Sequence, residues 1–175
     1  LQGLYQSFPV LIPLKERIAA AYFLLSEGFS KGGKVLTCGN GGSAADADHW
    51  VAELVKAFRC TRPIPGSVKE SFCRLDSQEE EGSKIASLLE GGLPAISLCG
   101  NTPLLTAIAN DVSSEMVFAQ QVYVLGKPED VLVCFSTSGN SKSVINAALT
   151  ARALHLKVLS FTGEDGGKLK AYSDV

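Results

Sequence analysis

The sequence contains no run of about 18 apolar residues, so no segment reads as a membrane-spanning helix. The apolar start, LQGLYQSFPVLIPL, is interrupted by Pro9 and Pro13 and has no basic stretch before it, which is not the layout of a secretory signal. Lys and Arg number 16 against 18 Asp and Glu, a formal net charge of -2, so there is no basic footprint for nucleic acid. None of the five cysteines (Cys38, Cys60, Cys73, Cys99, Cys134) lies in a C-x-x-C pair, and their number is odd. Cys38, Cys99 and Cys134 fall in or at the ends of predicted buried strands, where cysteine acts as a small hydrophobe. This pattern points to a reducing, cytoplasmic setting. Internal repeats and low-complexity tracts are also absent. What remains is an ordinary globular composition, 46% hydrophobic and 19% charged, in 175 residues. That is enough for a single domain, 1–175, with a full core.

Along the chain, short apolar runs alternate with helical patterns. A first helix is expected over about 14–29, with Ile18, Ala21, Tyr22, Leu25 and Phe29 on its apolar stripe. VLTC at 35–38 is a buried strand, and a helix from Ser43 to about Phe58 follows with Ala44, Ala47, Val51, Leu54 and Phe58 in its stripe. Residues 60–83 have prolines at 63 and 65, a charge run at Glu79 to Glu81 and no clear period; they read as an irregular, partly mobile surface excursion with at most a short helical turn. A short helix KIASLLEGG comes next, then strand LPAISLC, helices TPLLTAIAN and SSEMVFAQQVYVL, strand EDVLVCF, helix SKSVINAALTARAL and strand KVLSFT. This alternation predicts an α/β fold, a parallel sheet covered on both faces. Ligands of such sheets bind beyond the carboxyl ends of the strands, which directs attention to the loops after Cys38, Cys99, Phe135 and Thr162.

The first of these loops, CGNGGSAAD, is glycine-rich and opens a helix, an arrangement suited to phosphate or to nothing more than a tight turn. Gly39, Gly41 and Ala44 also satisfy the dinucleotide spacing G-x-G-x-x-A. That fingerprint requires an acidic residue roughly 20 positions on, at the end of the next strand. Arg59 and Cys60 stand there instead, so the dinucleotide reading fails. The second loop, CFSTSGNSKSV, places Ser136, Thr137, Ser138 and Ser141 around Gly139. One of these hydroxyls can be a helix cap, but four exceed what a cap needs and together form an uncharged phosphate cradle. The layout G-x-x-x-x-G-K-[ST] is missing, which argues against a nucleoside triphosphate.

On the second helix, Asp46, His49 and Glu53 fall within about 60° of one another, with Lys56 beside them, roughly opposite the apolar stripe. A solvated face with an i,i+4 His49–Glu53 pair explains this spacing. Glu53 is nevertheless only about 15 Å up the helix from the glycine loop, and a His and a Glu so spaced can share one zinc ion. Asn110 and Asp111, after an apolar helix, suit either a cap or sugar hydroxyls. His155 reads as a partner for a helix C-terminus.

Taken in order, CGNGGSAADADHWVAEL, LTAIANDVSSEMVFAQQV, DVLVCFSTSGNSKSVINA and LSFTGEDGGKL resemble the SIS (sugar isomerase) domain, and most closely the phosphoheptose, or sedoheptulose 7-phosphate, isomerases. The resemblance runs from Val35 to Val175. It implies a three-layer, flavodoxin-like α/β/α sandwich and a cytoplasmic homotetramer. The implied activity is an aldose-ketose isomerisation of sedoheptulose 7-phosphate to D-glycero-D-manno-heptose 7-phosphate, toward bacterial surface glycans such as lipopolysaccharide. Carried over by motif, Asn40, Gly41, Gly42, Ser43, Asn110 and Asp111 contact substrate. Ser136, Thr137, Ser138 and Ser141 hold its phosphate. Glu53 is substrate-binding and the acid/base, and His49 with Glu53 are zinc ligands. The family's pattern continues beyond AYSDV with a further strand and a helix that carries a Gln and a His, the remaining ligands and the partner acid/base; either these lie past Val175 or the chain is not a complete enzyme, and the missing initial methionine favours the first. The excursion after Pro63 is also longer than the family's link, and reads as either a flap or an interface element. Two other members of the superfamily compete: a non-enzymatic protein that binds the replication initiator, and a phosphosugar-sensing module. The first keeps the histidine of the helix pair but not the glutamate, so Glu53 favours the isomerase.

Overall fold

Val35–Cys38 is buried at every position and pairs on both sides, which makes it the centre of the sheet rather than an edge. The computed structural model describes residues 2–76, 80–163 and 165–175. Its strands are β1 (Val35–Cys38), β2 (Ala95–Ser97), β3 (Val131–Ser136) and β4 (Lys157–Thr162), all parallel in the order β2-β1-β3-β4. Cys38 lies opposite Cys134, and Ser136 opposite Thr162, so the loops after β1, β3 and β4 leave the sheet side by side.

Around the sheet lie α1 (Gln2–Ser7), α2 (Lys15–Ser30), α3 (Gly42–Val55), α4 (Gly66–Leu75), α5 (Glu80–Leu88), α6 (Thr102–Ile108), α7 (Ala119–Leu125) and α8 (Lys142–Ala153). Because side chains alternate along a strand, Leu36, Cys38, Leu132, Cys134 and Val158 face α7 and α8, while Val35, Val131, Val133 and Leu159 face α2 and α3. The three-layer α/β/α sandwich expected from the sequence is present. Ala147, Ala148 and Ala151 of α8 are fully buried, small enough to bring that helix close to the sheet. At the amino ends of the strands, the buried Asp130 carboxylate accepts from the Lys34 and Lys127 backbone amides, both at 2.8 Å, and from the Lys34 ammonium. At the outer edge, the amide of Ser160 donates to Val175 O at 3.0 Å and that of Asp174 to Val158 O at 2.8 Å, so the last residues run along β4.

Several elements differ from the periodicity reading. On α2, Leu24 packs against the core and Tyr22 is turned to solvent. α3 ends at Val55, three residues before the expected Phe58, which is exposed. Trp50 takes a place on the buried side, set edge-on against Phe135 and Phe161. SSEMVFAQQVYVL is broken into a 3₁₀ turn, Ser114–Met116, and α7. The largest difference is in 60–83, where α4 is a ten-residue helix that packs against α5. Pro65 precedes its first turn, a start signal rather than a mark of irregularity. Of the charge run, Glu80 and Glu81 form the acidic first turn of α5, and Glu79 lies outside the described residues. The two ends of this hairpin are stitched together. The Arg62 guanidinium donates to Leu54 O (2.9 Å) and to Gly91 O, and the Ala57 amide donates to Glu90 Oε2 (2.6 Å). Among the described residues, no helix is long and apolar enough to cross a membrane.

Candidate functional site

The chain leaves β1 through Gly39, Asn40 and Gly41. Gly41 precedes α3 with φ 58° and ψ -123°, a conformation that needs glycine, and this lets the chain turn at once from strand to helix. Asn40 is thereby turned toward α8. Its amide nitrogen donates to Ser141 Oγ at 2.9 Å and to Ser143 Oγ at 3.0 Å, tying the first loop to the second.

The second loop is fixed from its other side. Gly139 has φ 63°, and a Cβ on it would stand 1.9 Å from Gly166 O, so the loops after β3 and β4 touch backbone to backbone. Gly163 N donates to Thr137 O (2.9 Å), Leu169 N to Gly139 O (2.9 Å) and Lys168 N to Asn140 Oδ1 (3.1 Å). Asn140 also donates from its amide to Ser138 O at 2.9 Å. Ser141 stands at the N-cap of α8, yet its side chain makes no capping bond; its hydroxyl is engaged by Asn40 instead. The first turn of α8 therefore keeps amides that no side chain occupies.

These loops enclose a cavity of about 600 Å³ lined by Asn40, Ser43, Ser136, Thr137, Ser138 and Ser141, joined by Phe135, Asn140, Gly163 and Asp165. Six of the residues expected from sequence thus come together. Among the described residues no lysine or arginine lines the cavity, so an anion there meets hydroxyls, amides and a helix start, with the Asp165 carboxylate at its border. Phe135 forms part of its wall, stacked on Phe161 with ring centres 5.1 Å apart and an interplanar angle of 11°. Beneath it, Cys38 and Cys134 approach with sulfurs 3.8 Å apart. The hydrogen bond to Cys134 and burial push the Cys38 thiol well above its usual range, and burial also raises Cys99. Such thiols stay protonated and are not nucleophiles.

The other expected residues lie elsewhere. Gly41 borders a separate hollow of about 380 Å³ shared with Cys99 and Ala109, and Gly42 is exposed at the start of α3. Asn110 and Asp111 are exposed in a wide turn, 109–113, with the Asn110 amide donating to Asp111 Oδ1 at 2.8 Å. His49 is exposed, with Nε2 3.4 Å from Glu53 Oε1. The Glu53 side chain is 27% exposed, and its Oε2 is buried with no hydrogen-bond partner. Glu53 therefore does not sit on a freely solvated face. His155 lies just past α8 in the left-handed region, φ 65°.

Sequence reasoning missed Asn140, Phe135, Asp165 and Ser143. Asn140 was inside the serine motif and Asp165 in a loop that the strand-end rule had marked. Only three-dimensional contact distinguishes Ser143 from any other helical serine.

The family model described as SIS domain matches residues 10–73 and 80–163. The chain is 43% identical over 162 residues to the phosphoheptose isomerase of Helicobacter pylori (strain P12), covering 93% of this chain and 70% of that protein. It is 39% identical over 161 residues to the phosphoheptose isomerase of Thiobacillus denitrificans, covering 92% and 68%. Among solved structures, a phosphoheptose isomerase from Neisseria gonorrhoeae superposes with a TM-score of 0.70 at 34% identity, covering 99% of this chain and 74% of that one. One from Francisella tularensis gives 0.69 at 28% identity, covering 99% and 81%.

Proposed function

Because the chain belongs to the SIS domain family and, within it, to the phosphoheptose isomerases, we propose that it interconverts sedoheptulose 7-phosphate and D-glycero-D-manno-heptose 7-phosphate. The observation that carries this reading is the convergence of Asn40, Ser43, Ser136, Thr137, Ser138 and Ser141 on one cavity at the carboxyl ends of parallel strands. In it the phosphate accepts from the hydroxyls and from the first amides of α8. Anchoring one end of the sugar positions the other, which lowers the entropic part of the barrier.

Moving a carbonyl between C2 and C1 requires a proton to leave one carbon and return to its neighbour through an enediol. Glu53 is the proposed acid/base: a carboxylate with one oxygen facing His49 and the other without a partner is free to take and return that proton. The reacting carbons of a seven-carbon chain lie far from its phosphate, so the base is not expected among the phosphate's neighbours. Asn110, Asp111, Gly41 and Gly42 are proposed contacts for the hydroxyls in between.

The His49–Glu53 pair fits part of a zinc site. It offers one nitrogen and one oxygen donor with an orphaned carboxylate oxygen, although no cluster of three such side chains occurs among the described residues. His49 and Glu53 would hold the ion, which when bound supplies positive charge to the enediolate oxygen. The proposed assembly is a cytoplasmic homotetramer; Tyr22 and Phe23 of α2 give it exposed apolar surface to bury. Turnover of sedoheptulose 7-phosphate by the purified protein tests the reading. A folded, phosphate-binding protein without turnover would instead match the non-enzymatic relatives.

A further inference from the structure

Ser143 does not line the cavity and is 8% exposed, yet its hydroxyl belongs to the polar cluster behind it. Both contacts found for that hydroxyl among the described residues are within the cluster: the Asn40 amide at 3.0 Å and Ser141 Oγ at 3.3 Å. We infer that Ser143 is a positioning residue that fixes the direction of the Ser141 proton. The Asn40 amide has two protons and spends both, one on each hydroxyl oxygen. Ser143 must then place its own proton, and a buried donor is rarely left unpaired. The acceptor within reach is Ser141 Oγ. Ser141 then accepts twice, from Asn40 and from Ser143, and its own proton is directed into the cavity. A phosphate monoester dianion only accepts. The relay therefore converts a hydroxyl that could face either way into a fixed donor, so less orientational freedom is lost on binding.

The inference rests on reading the cavity as a phosphate site, and the experiment separates the two. In the full-length protein, binding of inorganic phosphate is measured by calorimetry and turnover of sedoheptulose 7-phosphate by steady-state kinetics. Ser143→Ala is expected to raise both the phosphate Kd and KM about threefold, the orientational freedom that the Ser141 hydroxyl regains among its staggered positions, while kcat stays within about twofold. Ser143→Cys, which keeps the volume but is a poor donor, follows alanine and serves if alanine unfolds the protein. Ser143→Thr, which restores the hydroxyl, returns both constants toward wild type. Wild-type turnover with Kd and KM unmoved in the alanine and cysteine variants overturns the positioning role and leaves the phosphate site standing. Parallel loss of kcat and thermal stability, unrelieved by threonine, overturns it in favour of a packing role. No phosphate binding by the wild type overturns the phosphate reading itself.

Discussion

The loop cluster over β1, β3 and β4 and the surroundings of Glu53 belong to the same helix-and-sheet framework but are finished differently. In the cluster, Asn40, Ser138, Asn140, Ser141 and Ser143 all have partners within the chain. At Glu53, one carboxylate oxygen is buried with no partner, and its neighbour His49 is held only at 3.4 Å. A buried polar atom without a partner is costly, and native proteins tolerate few such atoms outside working sites. The contrast matches the two tasks proposed for them. Holding a phosphate requires donors that are already aimed, whereas moving a proton requires a group whose bonding capacity is still open.

The largest test of this contrast is Glu53→Gln. Turnover is expected to fall by about 10² to 10⁴, the usual span for a lost general base, with circular dichroism and phosphate binding unchanged because no hydrogen bond to Oε2 is removed. Near-normal turnover would assign the proton transfer elsewhere. Gly139→Ala attacks the other region. The left-handed backbone alone costs about 1–2 kcal/mol in a non-glycine residue, and the contact with Gly166 adds to it. A lowered melting temperature together with lost phosphate affinity is expected; retained affinity would show that the two loops need not touch. Ser138→Ala removes one cavity hydroxyl and the acceptor for the Asn140 amide at 3.2 Å. KM should rise about three- to tenfold with a smaller change in kcat, and an unchanged KM would reduce that hydroxyl to a loop bond.

The smallest expected effect is on acid stability, away from both regions. Burial raises the Asp174 carboxyl, but the Val158 amide, Lys157 and Arg152 outweigh it and hold the group below its usual range. A lowered folded-state value means that its stabilising contribution is present above the unfolded value and lost as pH falls through the folded one. Asp174→Asn should flatten that acid limb in melts between neutral and strongly acidic pH. An identical acid limb in the variant would place the effect elsewhere.

Much of the site was legible because its residues are close in sequence. CGNGG and STSGNS each sit at the end of a buried apolar run, and a parallel sheet sends all such ends to one side. The 60–83 segment was not legible, because its helix is short, packs against a second short helix and leaves Val68 and Leu75 exposed, so no buried stripe marks it. Trp50 falls outside the predicted stripe for a related reason: α3 buries a wider arc than its strict stripe, and the arc is set by Phe135 and Phe161 on the strands beneath.

By itself the sequence determined the α/β alternation, the loops that matter and the hydroxyl chemistry of the cradle, since these follow from local periodicity and residue type. Only the tertiary structure decided which loops meet, that Asn40 reaches across to Ser141 and Ser143, and that one oxygen of Glu53 is buried without a partner. Those facts depend on strand order and on burial, and both are set by contacts between residues as much as a hundred positions apart.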